Sequence, residues 1–440
     1  MQKCASVLVG ITLLLIQRAS GEEARFYADC HLHLLNFLQG GEFYNHDQAF
    51  PGSEWGELEH QRYATLPAGE RWRRISGLLR NMKRQKIDRA IVFGMPIIKK
   101  WSLNDTYERP DGYLDNESHV VLARDTDLVL ASAVEDYRQN HDADDGDLER
   151  LATIAPFMCG FDPTDLGAVD LAVQRIQEYP GVWQGIGEVF LRHDDVTHLQ
   201  LGERPRANHP AMLRVARFAG QFDLPVSIHQ NIAPVSRPGI ERPPVYLDEL
   251  VDLFEYCQED VASGRKATTF IWCHAGASRR VNVERLPYWI GEVLAAHGDH
   301  VYIDLSWVIW DNYIRHDVES WRNLIERYPR RFMLGSDVVG SGTKSREELS
   351  DFEPLLRVLK SETGRLVAHD NLCNLLDEMT KRRRAAGNSR ADMAGVALSP
   401  AYRYPEYADM PRRRDDESFV RSRSEQLERR GDRSKRDERQ

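Results

Sequence analysis

The sequence predicts an α/β chain folded as a (β/α)₈ TIM barrel, and three observations lead there. Short apolar runs rich in β-branched and aromatic residues recur eight times. Amphipathic segments of helical period lie between them. Most of the runs are continuously apolar rather than alternating, as strands buried on both faces must be. Alternating strand and helix implies parallel strands joined by crossovers. Eight such units point to a closed barrel rather than an open sheet, and the 440 residues exceed the roughly 250 that a barrel needs.

The expected strands are Arg25 to His33, Ile87 to Met95, Thr153 to Phe161, Gly185 to Leu191, Leu224 to His229, Thr269 to His274, His300 to Ser306 and Arg331 to Asp337. Helical stretches between them include Arg71 to Gln85, Leu166 to Tyr179, Pro210 to Phe222, Leu247 to Ser263 and Val318 to Tyr328. No sequence repeat accompanies the structural one. Two connections are long. Leu34 to Gly69 carries Phe37, Phe43, Tyr44, Phe50 and Trp55, and Pro96 to Glu117 carries Trp101, Tyr107 and Tyr113. Connections that follow strands lie on the catalytic face of a barrel. These aromatics therefore either wall a substrate pocket or form a small satellite core.

Both ends differ from the body. Lys3, the apolar run Ala5 to Ile16 and the small residues Ala19-Ser20-Gly21 read as a secretory signal over residues 1–21. The apolar run is too short to span a bilayer comfortably, and no later segment approaches the length of a membrane span. Cleavage after Gly21 gives a mature chain starting at Glu22, exported to a periplasm or secreted. The barrel is expected over 22–379, ending with a helix around Asn371 to Met379. From 380 to 440 the chain carries Lys381-Arg382-Arg383-Arg384 and Arg412-Arg413-Arg414 with few apolar anchors. That composition reads as a basic, disordered tail, with Tyr402, Tyr404 and Tyr407 as residues that could pack locally. The net charge of -10 argues against nucleic acid as a partner of the barrel. A small-molecule substrate is expected, and the sequence is compatible with a homo-oligomer. Cys4 leaves with the signal. Cys30, Cys159, Cys257, Cys273 and Cys373 fit neither a disulfide framework nor a metal knuckle. Cys30 and Cys273 each precede a candidate ligand, so strand alternation turns them away from the site as packing residues.

The strand ends carry the chemistry. Strand one ends in His31-Leu32-His33, whose i, i+2 spacing puts both imidazoles on one face. Strand four ends in Gly185-Ile186-Gly187-Glu188, strand five in Ser227-Ile228-His229 and strand six in Trp272-Cys273-His274. Strand eight ends in Gly335-Ser336-Asp337. Each residue alone has an ordinary structural role available, as a hydrogen-bonded core histidine or a helix-capping acid. Together, five strands deliver ionisable groups to one ring, which is costly to bury unless a cation holds them. Imidazole with carboxylate suits Zn²⁺ foremost, with Mn²⁺ or Fe²⁺ as alternatives, at one or two divalent ions per chain.

This ordered set resembles the amidohydrolase superfamily, and within it the amidohydrolase-related (amidohydrolase-2) subgroup. Leu224 to His229, Phe270 to Gly276, Val301 to Ser306 and, most specifically, Arg331 to Asp337 resemble the fifth to eighth strands of that family. The resemblance runs from about Phe26 to Leu376. It implies that His31, His33 and Asp337 bind a buried metal and that His229 and His274 bind a second. Glu188 falls where members place a carboxylated lysine or glutamate bridge, and Ile186-Gly187-Glu188-Val189 also resembles the matching strand of TatD-type hydrolases. Lysine is absent there, which favours a glutamate-bridged pair or a single metal.

The expected activity is hydrolysis of an amide, ester, lactone or phosphoester. Asp337 would take a proton from activated water and pass it to the leaving group. A second metal, or protonated His274 in a one-metal site, would polarise the substrate oxygen. Arg192 and His193 after strand four, Arg279 and Arg280 after strand six, and Trp307 after strand seven are candidate substrate contacts. Arg279 and Arg280 could equally be solvated residues at the start of a helix. The same subgroup includes one-metal decarboxylases of aromatic or unsaturated acids, the alternative reading. A binding protein with a degenerate site is a third, and the complete ligand set argues against it.

Overall fold

The computed structural model describes residues 25–34, 68–95, 116–140, 149–193, 205–237, 239–259, 264, 266–340 and 342–387. The expected signal, the aromatic residues named in the two long connections and the chain beyond 387 lie outside them.

Among the described residues, nine strands form one parallel sheet: β1 (Tyr27–His33), β2 (Ile87–Phe93), β3 (Ile154–Met158), β4 (Gly185–Phe190), β5 (Val226–His229), β6 (Phe270–Trp272), β7 (Val301–Leu305), β8 (Phe332–Leu334) and β9 (Val338–Val339). Neighbours in sequence are neighbours in the sheet from β1 to β8. The two-residue β9 then pairs with β1, Leu32 opposite Val338 and His33 opposite Val339, which closes the sheet on itself. Between β8 and β9 the chain steps aside through Gly335, Ser336 and Asp337. A β-carbon on Gly335 would stand 2.7 Å from His31 Cβ and 2.9 Å from both Asp304 Oδ1 and Ser306 Cβ, so only glycine lets the strands approach there. All eight expected strands occur, within their expected ranges.

Helices α1 (Ala68–Gln85), α2 (Asn116–Asn140), α3 (Ala168–Glu178), α4 (Pro210–Gln221), α5 (Leu247–Tyr256), α6 (Leu286–His297), α7 (Val318–Arg327) and α8 (Asn371–Ala385) accompany the strands. Expected helices over 71–85, 166–179, 210–222 and 318–328 correspond to α1, α3, α4 and α7. The segment expected to run to Ser263 stops at Tyr256. Helix α2 went unread because apolar residues crowd its second half, at Leu128, Val129, Leu130, Ala131, Ala133 and Val134, and blur any single stripe.

The core has two shells. Leu32, Val92, Ile186, Ile228 and Ile303 pack outward with the helices. Ala28, Cys30, Ile91, Phe93, Ala155, Phe157, Ile271 and Met333 fill the interior with Leu372, Leu375, Leu376 and Met379 of α8. Helix α8 lies across the N-terminal ends of the strands. At one end Asn371 donates to Phe332 O at the start of β8 (2.8 Å). At the other, Arg383 donates to Gln184 Oε1 (2.5 Å) and Asp223 O (2.8 Å), just before β4 and β5.

This corrects the expected boundary at 379. Arg383 is buried rather than solvated, and burial lowers its guanidinium to about 10. The first part of the basic run thus belongs to the barrel's plug. The reading of two cysteines as facing away from the site also changes. The register of β1 shifts between Asp29 and Leu32, which breaks simple alternation. Cys30 is buried in the barrel interior. Cys273 Sγ lies 3.1 Å from Ser227 Oγ, and it groups with His31 and Asp304 beneath the ring of ligands. Both thiols are raised well above their ordinary range by burial, so they remain protonated.

Candidate metal centre

The six expected ligands converge at the C-terminal mouth of the barrel. His31 and His33 end β1, Glu188 lies on β4 and His229 ends β5. His274 and Asp337 sit just beyond β6 and β8, both in left-handed backbone, at φ 52° and 51°. Non-glycine residues rarely adopt that conformation, and it clusters at functional sites. Here it re-aims two side chains toward the barrel axis where straight strands would carry them past it.

The donor atoms form two groups around one carboxylate. His31 Nε2 and His33 Nε2 are 3.2 Å apart. Asp337 Oδ1 lies 3.3 and 3.5 Å from them, and Glu188 Oε2 lies 3.3 and 3.2 Å from them. The other oxygen of Glu188, Oε1, faces His229 Nδ1 at 2.8 Å and His274 Nε2 at 3.4 Å. Ligands about 2.0–2.1 Å from a tetrahedral Zn²⁺ stand roughly 3.3–3.4 Å from one another. The spacing within the first group matches that edge length. His229 Nε2, the ring nitrogen turned away from Glu188, is buried without a hydrogen-bond partner among the described residues. The donor atoms of His31, His33 and Asp337 lie within 4.8 Å of one another, as do those of His31, Glu188 and His274, so each trio fits a divalent ion, with His229 adjoining the second through Glu188 Oε1.

A second layer aims the imidazoles. Asp304 Oδ2 accepts from His31 Nδ1 at 2.8 Å, and Gly94 O lies 2.6 Å from His33 Nδ1. Ser306 Oγ lies 2.8 Å from His274 Nδ1. Each contact occupies one ring nitrogen and leaves Nε2 to the centre, the usual arrangement around a ligating histidine. Sequence reasoning did not single out Asp304 or Ser306. An acid in the middle of the apolar run Val301 to Leu305, with no basic residue in that run, was the available signal.

Burial disfavours a charged imidazolium at His31, yet Glu188, Asp337 and Asp304 together hold it well above its ordinary range. Burial likewise opposes the charged form of Glu188, while the charge of His31 and hydrogen bonds from His229, His274 and His31 keep it well below the usual carboxylate range. A proton thus supplies positive charge where three buried or nearly buried carboxylates demand it. Asp337 has 16% of its side chain exposed, against 0–3% for His31, His33, Glu188, His229 and His274.

Of the expected substrate contacts, Trp307 lies beside the centre, its ring 5.1 Å from that of His274 and 6.1 Å from that of His229. Arg279 lies over Trp307 at 5.2 Å and so reaches the rim. His193 stacks on His229 at 4.1 Å, and burial followed by the nearby His229 keeps it neutral, well below the ordinary histidine range. Arg192 sits in a contact network of its own. Its guanidinium is committed to Glu249 through Nε (2.9 Å to Oε2) and a close second contact, and it stacks on Tyr246 at 4.3 Å. These contacts brace the end of β4 against α5. Arg280 contributes its carbonyl to Ser236 N at 2.7 Å.

No family model matches the chain, and no curated protein matches it. Among solved structures it is similar to an amidohydrolase II at 15% identity and TM-score 0.42, covering 80% of this chain and 100% of that one. It is similar to 2,6-dihydroxybenzoate decarboxylase from Rhizobium at 12% identity and TM-score 0.40, covering 80% and 99%. It is also similar to a probable 2-pyrone-4,6-dicarboxylic acid hydrolase from Acinetobacter baumannii at 10% identity and TM-score 0.40, covering 80% and 100%. Likenesses at these identities and TM-scores assign no function to the chain.

Proposed function

We propose that this chain is a metal-dependent hydrolase of the amidohydrolase type, in which His31, His33, Glu188, His229, His274 and Asp337 would hold a pair of divalent cations, Zn²⁺ foremost, that would activate water. Its substrate is a small molecule carrying an amide, ester, lactone or phosphoester bond. The observation that carries the reading is the division of Glu188. Oε2 faces the His31 and His33 pair, and Oε1 faces His229 and His274. A carboxylate facing both histidine pairs has an obvious use between two ions and less with one, where His274 would instead act on the substrate oxygen as a protonated ring.

The cations, when bound, would lower the pKa of water toward ~7 and polarise the scissile carbonyl or phosphoryl oxygen. The protein's own groups do the rest. His31 and His33 are locked in orientation by Asp304 and Gly94 O. His274 is held by Ser306, so its Nε2 stays on the centre. Asp337 Oδ1 touches the first group while part of the side chain reaches the opening, which suits it to take a proton there and return it to the leaving group. Trp307 supplies an apolar wall, and Arg279 on its face offers a cation at the rim for an anionic substrate group.

Metal content per chain tests the proposal. The pair His31→Ala with His33→Ala, and separately His229→Ala with His274→Ala, should each remove metal relative to the unsubstituted protein. Activity on an ester, lactone, amide and phosphoester panel should fall with both. If the second pair of substitutions leaves metal content unchanged and activity appears only on carboxylated aromatics, the decarboxylase reading replaces this one. Residues 1–21 support export with cleavage after Gly21, and N-terminal sequencing of the mature protein should begin at Glu22. No helix among the described residues is long and apolar enough to cross a membrane.

A further inference from the structure

We propose a second, separate metal site at the closed end of the barrel, in which Asp88, His369 and Cys373 bind a thiophilic divalent cation such as Zn²⁺ and tie the plug helix to the barrel wall. Asp88 is the second residue of β2, and Phe93, next to the catalytic mouth, is five residues on. That is about 16 Å of strand, so the two sites share no ligand. His369 lies in the π-helical turn Leu366–Asp370, and Cys373 lies one turn later in α8. The wider π turn leads straight into α8, and the i, i+4 spacing brings the two side chains together.

A carboxylate and a thiol approach one imidazole nitrogen, giving three donors of different chemistry. Asp88 Oδ1 lies 2.8 Å from His369 Nε2, and Cys373 Sγ lies 3.7 Å from the same atom. All three ligand atoms fall within 4.8 Å of one another. With Zn–N about 2.0–2.1 Å and Zn–S about 2.3 Å, a tetrahedral site sets sulfur and nitrogen roughly 3.5–3.6 Å apart. The observed separation from Nε2 is close to that, while Sγ also lies 4.0 Å from Nδ1, so the thiol must swing off the ring face toward the Nε2 side to share the ion. The Asp88 contact must open by about half an ångström to reach an edge of roughly 3.3 Å. Its side chain is 47% exposed, and that exposure admits the ion.

The fourth feature is the carboxylate behind the histidine. Asp370 Oδ1 lies 2.8 Å from His369 Nδ1, the carboxylate–histidine arrangement that orients a ligating ring and raises its basicity. Water completes the coordination of a bound cation. Exposed acidic pairs alone would select no particular metal. The thiol makes the site selective for Zn²⁺ or Co²⁺ over Mg²⁺ or Ca²⁺. None of these residues takes part in the proposed hydrolysis.

Cobalt titration of the full-length, metal-stripped and reduced protein tests the site, because a thiolate ligand gives a near-ultraviolet charge-transfer band. The band is expected in the unsubstituted protein and in Cys273→Ser, which removes the thiol nearest the catalytic centre. It should vanish in Cys373→Ser. Asp370→Asn should weaken cobalt binding at this site by 10–100-fold, with the band retained at saturation. Absence of the band from the unsubstituted protein overturns the proposal. So does a band that survives Cys373→Ser.

Discussion

Replacing Asp304 by asparagine tests whether the second layer of the catalytic centre governs the metal. Asp304 and His31 are both fully buried, and their contact of 2.8 Å is a hydrogen bond from Nδ1 to a charged acceptor. Such charge-assisted bonds are about twice as strong as neutral ones. Asparagine has nearly the same shape and keeps one oxygen to accept from Nδ1, so the ring retains its tautomer and position. What it loses is the negative charge that makes Nε2 a stronger donor. Substitution of such partners weakens metal binding by roughly 10–100-fold, equivalent to about 1.4–2.7 kcal/mol. Competition against a chromophoric chelator at neutral pH measures this directly, with far-ultraviolet circular dichroism confirming that the barrel is intact. A folded Asp304→Asn protein that holds the metal of the His31 and His33 group as tightly as before would refute the reasoning. Asp304 would then be a buried structural acid whose contact with His31 has no bearing on the ion.

Asp337→Asn, assayed at saturating metal, should lower kcat by about 10²–10⁴-fold, and full activity would remove Asp337 from proton transfer. Leu376→Ala opens a cavity in the plug under the barrel interior, where the side chain is 3% exposed. Urea denaturation should show a loss of about 2–5 kcal/mol, and a loss well under 1 kcal/mol would mean that α8 is not packed as described. His300 is pushed down to about 4 from 6.5 by burial, with neighbouring His297 adding to the effect. Between those values the unfolded chain binds a proton there more readily than the folded one, so stability falls as pH drops from about 6.5 toward 4. His300→Gln should flatten that part of the stability curve, and an unchanged slope would show that His300 does not contribute.

The parallel barrel and the six residues that converge at its mouth were legible because both rest on local signals. A strand covered on both faces must be apolar throughout, and a ligand must stand where a strand opens onto the mouth. Runs such as Phe332 to Leu334 followed by Asp337, or β1 ending in His31-Leu32-His33, carry that information within a few residues. The fate of the basic run at 381–384 was not legible. Composition marks it as solvated, and only the carbonyl of Asp223 and the side chain of Gln184 turn Arg383 inward.

The sequence by itself determined the succession of strands and helices and the set of residues able to hold a cation. It did so because hydrophobic period and residue chemistry are properties of short segments. Only the tertiary structure decided how those residues divide between two groups, since the distances to the two oxygens of Glu188 depend on where four separate strands lie around the ring. It also decided that Arg192 braces Glu249, that Asp304 supports His31, and that Asp88 meets His369 and Cys373. Each of these pairs residues 57 or more positions apart, and Asp304 and Asp88 lie more than 270 positions from their partners. No local pattern encodes such a meeting; closure of the barrel brings it about.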